Sequence, residues 1–400
     1  MSKAAGAIVF GDSPKSRMET SGADPTCEAR SNLITQDLAK DKPGRIRELD
    51  GWRGVSILLV VLHHFLVFAF PATVEGSKLL HHVLLYAGEF GVRIFFVISG
   101  FVITRLLIIE EREHGVISLK GFYTRRFFRI VPVFYFFVLV VCVLSWFNWT
   151  PVNRDWVLAA TLFFHDFKLR NFDWFLGHSW SLAVEEQFYL VFPLFWVLFP
   201  PRRRASVLFA TLAIFLTWSV LGQWGVMANA ITASTVVGFS CVNVGALVAL
   251  YEAGVLRLAA RVPLLVVLLV VAFLFGHAVP NTRPAESLYS LAAPFGLALM
   301  LTHTVARKGW MSSMLNTKAI QWCGLISYSA YLWQQLFTIP SGYYGSPAAA
   351  KAFHLSLLLL PLIAAGSFYW IERPCTRLGR IIAVRFSSRE ASHVAPVAAS

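Results

Sequence analysis

Apolar runs of about twenty residues recur along this chain, and about twenty is what an α-helix needs to cross a bilayer core. In lipid every backbone polar group must be bonded within its own segment, so such runs commit the chain to helices. The spacing predicts an all-α integral membrane protein, a bundle of about ten transmembrane helices near 54–72, 89–109, 128–147, 180–200, 205–223, 232–251, 262–279, 287–306, 319–339 and 354–371. Composition points the same way: 56% of the 400 residues are hydrophobic and only 14% charged, where a soluble domain carries about a quarter. The stretch from Trp156 to Phe167 is too short to cross and is interrupted by His165 and Asp166, so it reads as interfacial or re-entrant.

Charge then sets the sidedness. With the N-terminus inside, the inner connections carry Arg112, Lys120, Arg125, Arg126, then Arg202, Arg203 and Arg204, then Arg257 and Arg261, then Arg307, Lys308 and Lys318, and a basic tail. The outer connections carry far fewer, as the positive-inside rule requires. Both termini are therefore expected in the cytoplasm. The net charge of +13 is absorbed by this pattern and gives no reason to expect nucleic-acid binding. The five cysteines show neither disulfide nor metal spacing, so no metal is expected. Residues 1–48 are polar and aperiodic and read as a disordered cytoplasmic arm; 49–380 form the membrane domain and 381–400 a short cytoplasmic tail. The first apolar run lacks a small-residue cleavage site and reads as a retained span.

Ionisable residues inside spans are costly and mark candidate sites. Arg53 and His64 are eleven positions apart in the first span, about three turns, so they share a face about 16 Å apart along the axis. That puts a guanidinium at the inner surface and an imidazole near the bilayer middle, suited to proton transfer. His63 falls on another face and reads as packing. Arg125, Arg126 and Arg129 begin the third span at helical spacing; their forks suit phosphate oxygens, or else signal topology and snorkel to lipid. Glu185 and Glu186 lie about two turns into the fourth span, open either to a structural ion pair or to acid–base work, with His178 nearby and more exposed. Gly91 and Gly100 thin the second span for close packing, with Ser99 between them.

Several motifs run in one order from about 46 to 380. They are Leu49–Asp50–Gly51–Trp52–Arg53–Gly54 leading to His64, the run from Gly91 to Phe101, and Tyr123 to Pro132 with its arginines. Trp180–Ser181–Leu182 running to Glu185–Glu186–Gln187–Phe188–Tyr189 follows, then Ile326 to Trp333, then Ile371–Glu372–Arg373–Pro374. Together they resemble the membrane-bound acyltransferase-3 family, which includes bacterial O-antigen and exopolysaccharide O-acetyltransferases. The resemblance implies an inner-membrane enzyme that passes an acyl group, acetyl first of all, from cytoplasmic acyl-CoA to a hydroxyl of an acceptor at the outer face. The acceptor class is a glycan, a lipid-linked saccharide or a small hydroxylated molecule. By the family pattern Arg53 and His64 are the essential pair, with Glu185 the third catalytic group; Arg126 and Arg129, with Arg53, serve CoA. His64 would act as base or as acyl relay. Many relatives carry a histidine after the Tyr–Leu–Trp run where this chain has Gln334. The chain ends soon after its last span, so the hydrolase-like domain fused to some relatives is not expected. A proton-coupled transporter or flippase using His64, Glu185 and Glu186 is the competing reading. It predicts matched, broken helices in two halves, and no internal repeat is evident.

Overall fold

Glycine decides how closely these helices approach. In the computed structural model, which describes residues 45–69, 78–167, 173–226, 233–276, 282–340 and 356–394, every element is helical. The first helix, α1 (Arg47–His63), continues as a π-helical turn, His64–Ala69. The second, α2 (Lys78–His114), is the spine of the bundle: 67% of its apolar stretch is buried. A β-carbon on Gly100 of α2 would lie 1.9 Å from the carbonyl oxygen of Val242, and one on Gly245 would lie 2.2 Å from that of Val97. The two backbones are in contact, and no side chain fits between them, as the small-residue pattern anticipated. Gly91 likewise meets α1 at the Ser56 carbonyl.

The remaining long helices are α3 (Leu119–Trp146), α6 (Ser179–Leu198), α7 (Pro201–Gln223), α8 (Ala233–Leu250) and α11 (Arg283–Ala306). Between α3 and α6 lie the short α4 (Arg154–Thr161) and α5 (Trp174–Gly177). Eight residues of α4 cannot cross a bilayer, and Asn153 caps it by accepting from the Asp155 amide at 3.0 Å. Phe163 follows at φ 56°, a left-handed conformation that a bulky residue resists. Gln187 of α6 holds that turn in place, donating Nε2 to the Phe163 carbonyl and to Asp166, both at 2.9 Å.

Six helices are long and apolar enough to cross a membrane, or seven if α8 and the bent α9 (Glu252–Arg261) count as one, among the described residues. Three expected spans map to shorter pieces. One is α10 (Leu264–Gly276), with thirteen residues. Another, preceded by the short α12 (Trp310–Leu315), is divided into α13 (Lys318–Leu325), α14 (Ser327–Trp333) and a 3-10 turn at Gln334–Leu336. The Ser327 hydroxyl donates to the Gly324 carbonyl at 2.9 Å, across the break between α13 and α14. The last begins as a 3-10 turn at Ser356–Leu359, passes through α15 (Leu360–Ser367) and a π-helical turn Phe368–Glu372, and runs into α16 (Arg373–Val394). Of the expected arm 1–48, residues 1–44 lie outside the described residues, while Arg47 and Glu48 open α1.

Ion pairs gather the basic ends together. Arg125 of α3 bonds Glu110 at 2.7 Å, Arg204 of α7 bonds Glu111 at 2.6 Å, and Arg105 bonds Glu252 at 3.0 Å, all at the C-terminal end of α2. Trp52 of α1 donates to Thr304 near the end of α11 at 2.9 Å, so α1 starts at that same end. At the opposite end Arg93 of α2 bonds Glu89 and Tyr289, while Gln223 closing α7 bonds Ser290 of α11 at 2.6 Å. Neighbouring helices thus run antiparallel between a basic end and a far end. Leucines and valines such as Leu190, Val191 and Leu198 of α6 stay exposed, the face that lipid solvates.

Candidate active site

Positions 181, 185 and 189 stand four apart on α6, so Ser181, Glu185 and Tyr189 share one face. That face looks onto a narrow cavity of about 90 Å³ bounded by α1, α2, α3, α6 and α14. Arg53 enters it from α1, Arg126 and Arg129 from α3, and Ser99 from α2. Four of the five expected site residues therefore come together from three helices. Three guanidiniums face one carboxylate, a wall with net positive charge. Arg126 is held by aromatic faces: its guanidinium carbon lies 4.9 Å from the Tyr189 ring centre and 5.8 Å from that of Phe122. Arg53 is steadied by Asp50 one turn earlier, at 3.3 Å. Glu186 lies off the wall, with one buried carboxylate oxygen unbonded among the described residues.

The sequence motifs interlock around this cavity. Ser99 bonds Tyr189. Tyr328 donates to the Ile130 carbonyl at 2.9 Å, and Ser329 to Glu372 at 2.9 Å. Ser181 and Tyr331 bond at 2.6 Å, and Tyr331 also donates to the His178 carbonyl at 2.9 Å. Tyr189, Tyr328 and Tyr331 had no assigned role from sequence. Tyr189 was findable from its spacing to Glu185; the other two meet the site only through tertiary contact.

His64 stands apart from the cavity wall. Because α1 begins at Arg47, seven positions before the expected span, His64 falls in the last turn of the Arg47–Val67 crossing and not at its middle. Its Nδ1 is 2.8 Å from the Val60 carbonyl. A carbonyl only accepts, so Nδ1 carries the proton and Nε2 is the basic nitrogen of the neutral ring. Trp174 packs edge-on at 5.6 Å and His63 at 4.8 Å between ring centres. His63 donates its own Nδ1–H to the Leu84 carbonyl at 2.8 Å, and its ring lies against Gly88, which fits the packing role expected of it.

A polar bridge runs from the cavity toward that ring. Tyr331 at the wall bonds His178; His178 bonds the Gln335 side chain; Trp174 donates to the Gln335 carbonyl at 2.9 Å and touches His64. His178, expected to be more exposed, is buried at 4%. Asp173 caps α5, accepting from the Phe175 and Leu176 amides at 3.3 Å, and Trp174, Phe175 and Leu176 are buried. Gln334 is fully buried, and its amide nitrogen and oxygen have no hydrogen-bond partner among the described residues. Its neighbour Gln335, not Gln334, meets the histidine.

Comparison with known proteins agrees with this architecture. Residues 46–371 match the family described as Acyltransferase domain (Acyl_transf_3). The chain is 24% identical over 375 residues to peptidoglycan O-acetyltransferase OatA of Listeria monocytogenes, covering 84% of this chain and 56% of that protein. It is 26% identical over 367 residues to O-acetyltransferase OatA of Staphylococcus aureus, covering 84% and 58%. The chain thus spans a little over half the length of these curated relatives. No solved structure matches it. A family match over most of the helical bundle, with the motifs interlocked about one cavity, makes this chain a multi-pass membrane protein of the acyltransferase-3 family.

Proposed function

We propose that the protein is a membrane O-acetyltransferase that takes acetyl from cytoplasmic acetyl-CoA and delivers it to a hydroxyl of a glycan at the outer face of the cytoplasmic membrane. The observation that carries this reading is the gathering of Arg53, Arg126, Arg129 and Glu185 on one cavity in a chain of this family. On this reading both termini and the basic end of the bundle face the cytoplasm, and the broken segments at 318–336 and 356–372, with α10, complete about ten crossings.

CoA carries phosphates, and guanidinium forks are the side chains that match them. The cavity, at about 90 Å³, is well below the roughly 300–1,000 Å³ of pockets that enclose a whole ligand. It therefore suits the slender thioester arm, with the nucleotide held at its basic mouth. The acyl end points along the cavity to the His178–Gln335–Trp174 bridge, and His64 stands beyond it. His64 Nε2 then does one of two things. As a general base it takes the proton of the acceptor hydroxyl while that oxygen attacks the thioester carbonyl, and CoA leaves as thiolate. As a relay it attacks the carbonyl itself, expels the thiolate, and yields the acetyl to the hydroxyl in a second step. Glu185 balances the guanidiniums and orients Arg53 and Arg126 across the cavity. The glycan acceptor is supported by the name of the Listeria relative, which acts on peptidoglycan.

The test uses purified full-length protein, radiolabelled acetyl-CoA and N-acetylglucosamine oligomers. His64→Ala should lower label transfer by about a hundredfold or more, the range of general base loss, while His63→Ala retains most of it. Unimpaired transfer by His64→Ala, or no transfer by the wild type to any hydroxylated acceptor, would contradict the proposal.

A further inference from the structure

The chain bends sharply after α8. Leu250 ends that helix, and α9 (Glu252–Arg261) leaves it at 98°. An element at right angles to a membrane-crossing helix runs along the bilayer plane. It is not loose: Ala259 is buried, and its carbonyl is 3.1 Å from Nδ1 of His303 on α11. Arg257 and Arg261, four residues apart, lie on the opposite side of α9 from Ala259. Leu258 stays 65% exposed toward the surroundings.

Beneath α9 is a cleft of about 610 Å³. Its α2 wall supplies Arg105, Ile108, Ile109 and Arg112; its roof supplies Glu252, Leu256 and Arg257. Three guanidiniums share the cleft with one carboxylate, Glu252, which pairs with Arg105, so the cleft is cationic; the rest of its wall is mainly aliphatic, with Tyr251. The acyltransferase cavity uses Val92, Phe95, Phe96 and Ser99 of the same helix. At 100° per residue the two sets are centred about 140° apart around α2. The cleft therefore opens on the other side of the spine and does not feed the cavity.

We propose that this cleft binds an anionic glycerophospholipid of the adjoining leaflet, its phosphodiester on Arg112 and Arg257 and its upper acyl chain on the Ile108–Ile109–Leu256 wall. The charge excess selects an anion, and the aliphatic wall selects one that carries a chain. The bilayer-plane position of α9 puts the cleft at headgroup depth. The cleft's volume, about 610 Å³, falls within the roughly 300–1,000 Å³ of small-molecule sites. The proposal is independent of the acyl-transfer reading.

The test is native mass spectrometry of the purified full-length protein titrated with dioleoylphosphatidylglycerol, with dioleoylphosphatidylcholine as the zwitterionic comparison. A saturable phosphatidylglycerol adduct is expected, about tenfold weaker in an Arg112→Gln/Arg257→Gln variant. An Arg202→Gln/Arg203→Gln variant removes the same charge from the exposed start of α7 and should bind as the wild type does. Excess inorganic phosphate and CoA should each leave the adduct in place. Equal weakening by both double variants would mean diffuse attraction and overturn the site. Displacement by inorganic phosphate would make it a free-phosphate site, displacement by CoA would assign it to the donor, and equal binding of the two lipids would remove its charge selectivity; each contradicts the proposal.

Discussion

Asp166 is buried in a turn outside the long helices, with Gln187 donating to one carboxylate oxygen at 2.9 Å. Burial pushes its carboxyl up from 3.8 to about 6, against the pull of that hydrogen bond. The folded state therefore holds the proton more tightly than the unfolded chain does. Its stabilising share is complete below the unfolded value and is lost as pH rises through about 6. Asp166→Asn keeps an oxygen for Gln187 and never ionises. Between about pH 5 and 7.5 the wild type should lose a few degrees more in Tm than Asp166→Asn does; parallel profiles would contradict the burial argument. Asp173, also raised to about 6 by burial, is common to both proteins and cancels. At this scale Arg53, Arg126, Arg129 and Glu185 stood out as ionisable residues in or at the entrance of apolar runs, and the motif resemblance singled them out as site candidates. The sequence did not reveal that Gln335 engages His178, nor that Tyr331 and Ser181 bond each other, because those pairs lie more than a hundred positions apart. His64 shows the limit in between: its face was readable, but its depth depended on where α1 starts, and Glu48 and Leu49 extend that helix below the apolar run.

The α2–α8 pair shows what an element can and cannot announce. Small residues marked the contact surface of α2, and the backbone contact at Gly100 follows from them. Gly100→Ala sets a methyl 1.9 Å from the Val242 carbonyl, and overpacking of that kind costs about 1–3 kcal/mol or more. The expected result is a sharp drop in the monodisperse fraction on size exclusion and a lower Tm, whereas Gly222→Ala, which meets nothing within 4 Å, should be silent. Equal behaviour of the two variants would refute backbone contact as the determinant of packing. Hydropathy could not foresee the 98° bend into α9 or the division of 318–336 into short helices. A bent or broken apolar segment has the same mean hydropathy as a straight one. The breaks depend on local bonds, such as Ser327 to Gly324, and on what the neighbours leave room for.

Over the whole molecule, charge is sorted by end. Arg125, Arg204 and Arg105 pair with carboxylates around the end of α2. The arginine-lined cavity lies within this bundle, while His64 ends the α1 crossing that begins at the basic end. On the proposed function a donor enters by the basic end and an acetyl group leaves by the other. Calorimetric titration of CoA into the purified full-length protein tests that claim most directly. Wild type should bind saturably, and Arg126→Gln/Arg129→Gln should bind about tenfold or more weakly, the loss expected for charge-assisted hydrogen bonds to phosphate. Undiminished CoA affinity in that variant would contradict it.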